Sequence, residues 1–318
     1  MVPCYSGHMR KILITGINGF VASHLGRELK SRNCFVAGVG RQRQLSHTLK
    51  GYVDEYYHCD LVDPNKVSGL PLDYVDGVIS LAGLANVGAS FEQKTLYMKV
   101  NVEVLTVLSE RILKLGLKTR VLAISTGAVY SPIQPLPLKE SSNVITCGSP
   151  YAMSKIAMES EAEKLRLRGL NCIIARPFNH VGPGQEPGFL VPDLYKKIKT
   201  AVDIGEEVIR TGDLTTKRDY TDVRDVVRAY ADLILAEQLN EPIYNICSGR
   251  SITGKTIFDL MTGNMKQAKS IRPMLDQELL RPNDPKDIYG DNSILKNQTG
   301  WEPKISIEQT IRDFVASM

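Results

Sequence analysis

The stretch that most restricts what this chain can fold into is Ile12-Leu13-Ile14-Thr15-Gly16-Ile17-Asn18-Gly19-Phe20-Val21-Ala22. An apolar run ends at a glycine, a second glycine follows three positions later, and an amphipathic run starts at once, which reads as a buried strand turning directly into a helix. Glycine at these two positions lets the backbone approach a bulky anion, which then lies against the positive end of the following helix. With Ala22 where a third small residue belongs, the pattern matches the cradle for a dinucleotide pyrophosphate. Gly16, Asn18, Gly19, Phe20 and Val21 are thus the first candidate cofactor contacts.

Short apolar runs continue to alternate with amphipathic ones. Residues 11–15, 35–39, 75–81, 120–125 and 172–176 read as buried parallel strands, while 19–32, 91–115 and 150–168 carry helical periodicity. The order β-α-β-α implies an α/β protein, a Rossmann-type doubly wound parallel sheet with a smaller C-terminal substrate-binding α/β lobe. Gly182, Pro183, Gly184, Pro187 and Gly188 break the regularity, so the expected division is 10–178 for the nucleotide-binding domain and 179–318 mainly for the substrate lobe. A helix at 223–236 and a strand at 243–247 suggest that about 223–247 returns to the first domain. Residues 1–9 read as a leader outside the fold.

Composition narrows the partners. The 39 basic and 35 acidic residues are spread along the chain rather than gathered into the patch that nucleic-acid binding requires. No run approaches the roughly 18 apolar residues of a membrane span, and the N-terminal segment lacks a signal core. Cysteines at 4, 34, 59, 147, 172 and 247 form no CxxC or zinc-ligand spacing and read as reduced thiols of a cytoplasmic protein.

The second strand ends Val39-Gly40-Arg41-Gln42-Arg43, and no Asp or Glu occurs between Glu28 and Asp54. An acidic side chain here would hold a ribose 2′-hydroxyl, whereas a basic one accepts a 2′-phosphate, so Arg41 favours NADP(H) with NAD(H) as the alternative. Asp60 and Leu61, where this architecture places groups beside the adenine, and Leu81, Ala82 and Gly83 at the end of the 75–81 strand complete the cofactor set by position.

Tyr151-Ala152-Met153-Ser154-Lys155 opens a helix with Ser149 as N-cap and Pro150 at the first turn. Residues four apart share a helix face. A nearby ammonium is expected to lower the phenol pKa, which makes the pair an acid–base device, with Lys155 also suited to hold the nicotinamide ribose. Ser125 and Thr126 stand at the end of the 120–125 strand, and a hydroxyl there can donate to a carbonyl oxygen as charge develops. Thr126, Tyr151 and Lys155 form the expected catalytic set.

These residues resemble those of the extended short-chain dehydrogenases that act on nucleotide sugars, and the likeness runs from Arg10 to the C-terminus. It is carried by residues 176–185 (RPFNHVGPGQ), 218–225 (RDYTDVRD), 244–249 (YNICSG) and 299–303 (TGWEP). The resemblance implies a nucleotide-diphosphate sugar held by Ser125, Thr126, Asn179, Arg218, Arg281, Asn283 and Asp284, and a homodimer. Arginine forks suit the diphosphate.

Dehydratases of this family place an acidic pair after the threonine, where this chain has Gly127-Ala128; its epimerase-reductases use a cysteine near position 128 and a distant histidine. His180 is expected to be structural or phosphate-adjacent, and Cys147 a packed thiol. Reduction of a 4-keto-6-deoxy sugar remains the leading expectation, and the resemblance implies that the sugar is linked to GDP. A 4-epimerase with retained NAD is the alternative, and a non-catalytic NADPH-binding regulator would be expected to lack Tyr151 or Lys155.

Overall fold

The computed structural model describes residues 9–280 and 284–318. Among the described residues, the first unit comprises 9–126, Cys147–Arg176 and Val227–Tyr244; the second comprises Gly127–Thr146, Pro177–Val226, 245–280 and 284–318.

The first unit is built on β1 (Lys11–Thr15), β2 (Phe35–Gly40), β3 (Glu55–His58), β4 (Gly77–Ser80), β5 (Arg120–Ile124) and β6 (Cys172–Pro177), with β7 (Ile243–Ile246) at one edge. The order is β7-β6-β5-β4-β1-β2-β3, and the pairings among β1–β6 are parallel. Strands of such a sheet are covered on both faces, which is why β4 and β6 are buried at every residue. The chain reverses direction of travel across the sheet between β1 and β4, and the crevice at the carboxyl ends of these strands is where this architecture binds ligands.

The helices are α1 (Phe20–Ser31), α2 (Lys94–Lys114), α3 (Pro150–Leu167) and α4 (Val223–Leu235). Each predicted helix is present with trimmed ends. The helix expected over 91–115 begins at Lys94, and a separate four-residue helix, Val87–Ser90, precedes it, capped by Asn86, which accepts from Ala89 N at 2.9 Å.

In the second unit, Lys217–Asp222 pairs in parallel with Asn179–Val181 and Asp287–Ile288, and antiparallel with Ser251–Thr253. Asp219, 1% exposed, holds this layer to its loops by accepting from Ser248 N at 2.7 Å, Ser248 Oγ at 2.6 Å and Gly249 N at 3.0 Å. Residues 127–146 were expected within 10–178 but group with the second unit. There Tyr130 donates to Asn245 Oδ1 at 2.6 Å, Leu138 bridges to Gly290, and Tyr130 stacks on Phe178 with ring centroids 6.1 Å apart. Trp301 is fully buried and donates to Asp225 O at 2.9 Å, while the Asp225 carboxylate accepts from Lys304 N and Ile305 N at 2.8 Å each.

Candidate active site

The turn between β1 and α1 closes on itself, Gly19 N donating to Gly16 O at 2.9 Å. Gly16 has φ +67°, and a Cβ there would lie 3.0 Å from Ala82 Cα, so a side chain is barred both by the backbone and by the strand end it faces. Thr15 secures that neighbour, its hydroxyl accepting from Ala82 N at 2.9 Å. The N-terminus of α1 carries no side-chain cap and no acidic residue in its first turn, which leaves its N–H groups oriented for an anion. These features fit a dinucleotide pyrophosphate.

Asn18, in the same turn, braces it. Its amide donates to Gln44 O at 3.1 Å and Gln42 Oε1 at 3.3 Å, and its carbonyl accepts from Ser46 N at 2.9 Å, so it fastens the loop after β2 to the glycine turn. Arg41 is exposed at the start of that loop. The nearest acid in sequence, Asp54, is committed elsewhere: it accepts from Val36 N at 2.7 Å and pairs with Lys30 at 2.8 Å, at the opposite end of β2. Leu61 is buried in the core beside the sheet, so the neighbouring Asp60, partly exposed, is the one of this pair that solvent or ligand can reach.

The end of β5 and the helix α3 are joined residue by residue. Ser149 caps α3 through Ala152 N at 3.2 Å, as expected, and Pro150 opens it. Thr126 hydrogen-bonds the buried Tyr151 phenol. Lys155 Nζ donates to Ile124 O at 2.7 Å. One turn further, Glu159 accepts from Ser125 Oγ. Three consecutive residues at the strand end thus hold three helix residues spaced by four, the spacing that puts side chains on one helix face.

Ser125, expected at the substrate, is 2% exposed and donates its hydroxyl to Glu159, which ties the helix to the strand end. Against the expected acidification, burial raises the Tyr151 pKa, and the bond from Thr126 offsets this only in part. Lys155 is itself pushed down to about 8, by burial of its amine, against the attraction of Glu159. The tyrosine is therefore stored as phenol, a proton donor.

Glu159, which sequence reasoning passed over, is the centre of a buried network. Arg176 on β6 grips its carboxylate with Nε at 2.9 Å and Nη2 at 2.6 Å, with side chains 5% and 11% exposed. Its position eight residues after Tyr151 on the same face was the available signal. Asn101 on α2 was also missed: it accepts from Leu84 N at 2.7 Å and donates to Ser154 Oγ at 2.8 Å, joining the end of β4 to α3. A Cβ at Gly83 would lie 2.8 Å from the Asn101 oxygen and 3.7 Å from Lys155 Nζ, which explains glycine at this strand end.

In the second unit, Arg218 pairs with Asp284 at 2.7 Å, bringing together two residues expected at the sugar nucleotide, and Asn179 is exposed at the start of its strand. Arg281 and Asn283 lie outside the described residues. His180 Nδ1 meets Phe178 O at 3.2 Å, and burial lowers its pKa. The five described cysteines are free thiols. Among the described residues, no cluster of acids, histidines and cysteines could hold a metal, and no helix is long and apolar enough to cross a membrane.

Residues 12–247 match the NAD dependent epimerase/dehydratase family. Over 306 residues, 95% of each chain, this protein is 28% identical to the GDP-6-deoxy-D-mannose reductase of Pseudomonas aeruginosa. It is also 28% identical to the UDP-glucuronate 4-epimerase of Thermodesulfobacterium geofontis, over 94% of this chain and 93% of that one. The solved structure of RMD from Pseudomonas aeruginosa complexed with NADPH superposes with a TM-score of 0.83 at 26% identity, covering 97% of this chain and 98% of that one. With the glycine turn, the seven-stranded sheet and the Thr126–Tyr151–Lys155 group all in place, the chain belongs to the NAD dependent epimerase/dehydratase family.

Proposed function

We propose that this protein is a cytoplasmic, NADPH-dependent reductase that converts GDP-4-keto-6-deoxy-D-mannose to GDP-D-rhamnose. The observation that carries the reading is the buried Tyr151 phenol bound to Thr126, in a chain where Gly127 and Ala128 follow that threonine. Elimination or carbon-bound proton transfer needs an acid or base at that place. Ketone reduction needs only a proton donor and a polarising hydroxyl.

A nicotinamide dinucleotide, when bound, supplies the hydride to C4. Gly16 and Gly19 admit its pyrophosphate against α1, and Arg41 answers its 2′-phosphate. Thr126 Oγ1 orients the ketone oxygen, the Tyr151 hydroxyl gives that oxygen a proton, and Lys155 holds the nicotinamide ribose. Asn179, Arg218 and Asp284 contribute to the sugar nucleotide, with Arg281 and Asn283 from the adjoining segment. Exposed Leu96 and Met98 on α2 support pairing of two copies as a homodimer.

The test is to mix purified protein with NADPH and GDP-4-keto-6-deoxy-D-mannose, follow absorbance of the reduced cofactor, and identify the product by chromatography. Loss of absorbance with formation of GDP-D-rhamnose supports the proposal. A silent cofactor signal with an active parallel reductase control refutes it. The likeness to a 4-epimerase supports a second reading, and recovery of tightly held NAD from the purified protein would select it.

A further inference from the structure

Lys155 is surrounded by a specific set of ionisable groups. Tyr151 and Glu159 share its helix, and Arg176 approaches from β6. Tyr97 on α2 and Tyr230 on α4 face the Tyr151 phenol. Lys155 Nζ is anchored to Ile124 O at 2.7 Å, so its nearest partner is a neutral carbonyl. Glu159 stands one turn along the same face, and its carboxylate has no freedom. Arg176 takes both oxygens, at 2.9 and 2.6 Å, and Ser125 donates to one of them.

We propose that Glu159, locked by Arg176 and Ser125, is the positioning residue for Lys155: it keeps the buried amine protonated and fixes the register of α3 against the end of β5. Three observations converge on this role. The Glu159–Arg176 pair is nearly dry, and a buried ion pair is a poor device for stability alone, since apolar residues of similar volume would serve as well or better. Its carboxylate is held by three donors, Arg176 Nε and Nη2 and Ser125 Oγ, which fixes its place beneath the site. The same strand end supplies Ile124 O to Lys155, Ser125 to Glu159 and Thr126 to Tyr151, so a slip of the Glu159 contact would move all three.

Glu159 raises the affinity of Lys155 for its proton against burial. Arg176 acts through Glu159: its two contacts keep the carboxylate aligned. Glu159 is nearly buried and its carboxylate is taken by Arg176 and Ser125, so it is a positioning group and not a catalytic one.

The role rests on the reading of Lys155 as the cofactor-ribose lysine, and the experiment separates the two. Protein labelled with 15N at the lysine side chains is titrated by NMR, the Lys155 resonance being identified by its disappearance in Lys155→Arg. In Glu159→Gln the titration midpoint of Lys155 falls by about one pH unit, the lower end of the effect of a charge at short range. Because this variant leaves Arg176 buried without a counter-charge and can fail to fold, Glu159→Gln/Arg176→Gln, which removes both charges, is measured alongside and shows the same fall. NADPH affinity by fluorescence drops with the midpoint, and the pH profile of reduction moves by the same amount. Glu159→Asp restores part of the midpoint, which a purely structural role would not produce. An unchanged Lys155 midpoint in the folded double variant overturns the proposal. A shifted midpoint in a protein that reduces no nucleotide sugar leaves it standing and removes the proposed reaction instead.

Discussion

Lys155 carries its charge where the fold resists it, so replacing it with methionine should make the protein more stable at neutral pH while ending its activity. The amine is buried and its pKa is about 8 against an ordinary 10.5. Below pH 8 both folded and unfolded chains hold the proton, and the native state bears the whole penalty, about 3 kcal/mol from that pKa gap. Between pH 8 and 10.5 the folded protein releases the proton while the unfolded chain keeps it, so the wild type gains stability as pH rises. Above 10.5 the penalty is gone. Lys155→Met escapes it at every pH but loses the bond to Ile124 O, worth about 1 kcal/mol. The variant is therefore expected to be about 2 kcal/mol more stable at pH 7, with the advantage falling by about 2 kcal/mol by pH 9.5. Urea unfolding of both proteins at matched pH values reads the difference directly, since other titrations largely cancel. A variant less stable than the wild type at pH 7, or a difference that ignores pH, would show that burial does not oppose this charge.

Three further outcomes follow. Tyr151→Phe removes the proposed proton donor and only one bond to a partly exposed threonine, so kcat/KM should fall by about 10²–10⁴ while Tm hardly moves; retention of most activity in single-turnover assays would exclude Tyr151 as the acid. Arg41→Ala should raise the KM for NADPH by about tenfold or more and leave that for NADH nearly unchanged, and equal effects on both would remove the 2′-phosphate contact. Trp301→Ala, deleting a fully buried ring and its bond to Asp225 O, should cost about 3–5 kcal/mol in urea unfolding, and a loss below 1 kcal/mol would mean that the second unit does not depend on this packing.

Local chemistry was readable wherever it depends on neighbours in the chain. Gly16 and Gly19 are needed by a turn that closes within four residues, Ser149 and Pro150 start α3 through bonds to the next few residues, and the i, i+4 spacing of Tyr151 and Lys155 follows from helix pitch alone. The apolar runs of β1, β4 and β6 announced a sheet buried on both faces. Strand boundaries slipped by a residue or two because hydrogen bonding, and not hydrophobicity, ends a strand. The placement of 127–146 was not legible either, since Tyr130 and Leu138 find their partners more than a hundred residues away.

What the tertiary structure alone decided is the electrical state of the site. From sequence, the lysine should acidify the tyrosine; in the folded chain the amine turns to Ile124 O and burial keeps the phenol protonated. Ser125 was assigned to substrate and belongs to Glu159, and Glu159 itself gained meaning only when Arg176, brought in by β6, closed on it. Spacing along a helix tells which side chains share a face. Which of them keep their charge depends on how much water and what opposite charge the rest of the fold leaves beside them, and that is a property of residues distant in the chain.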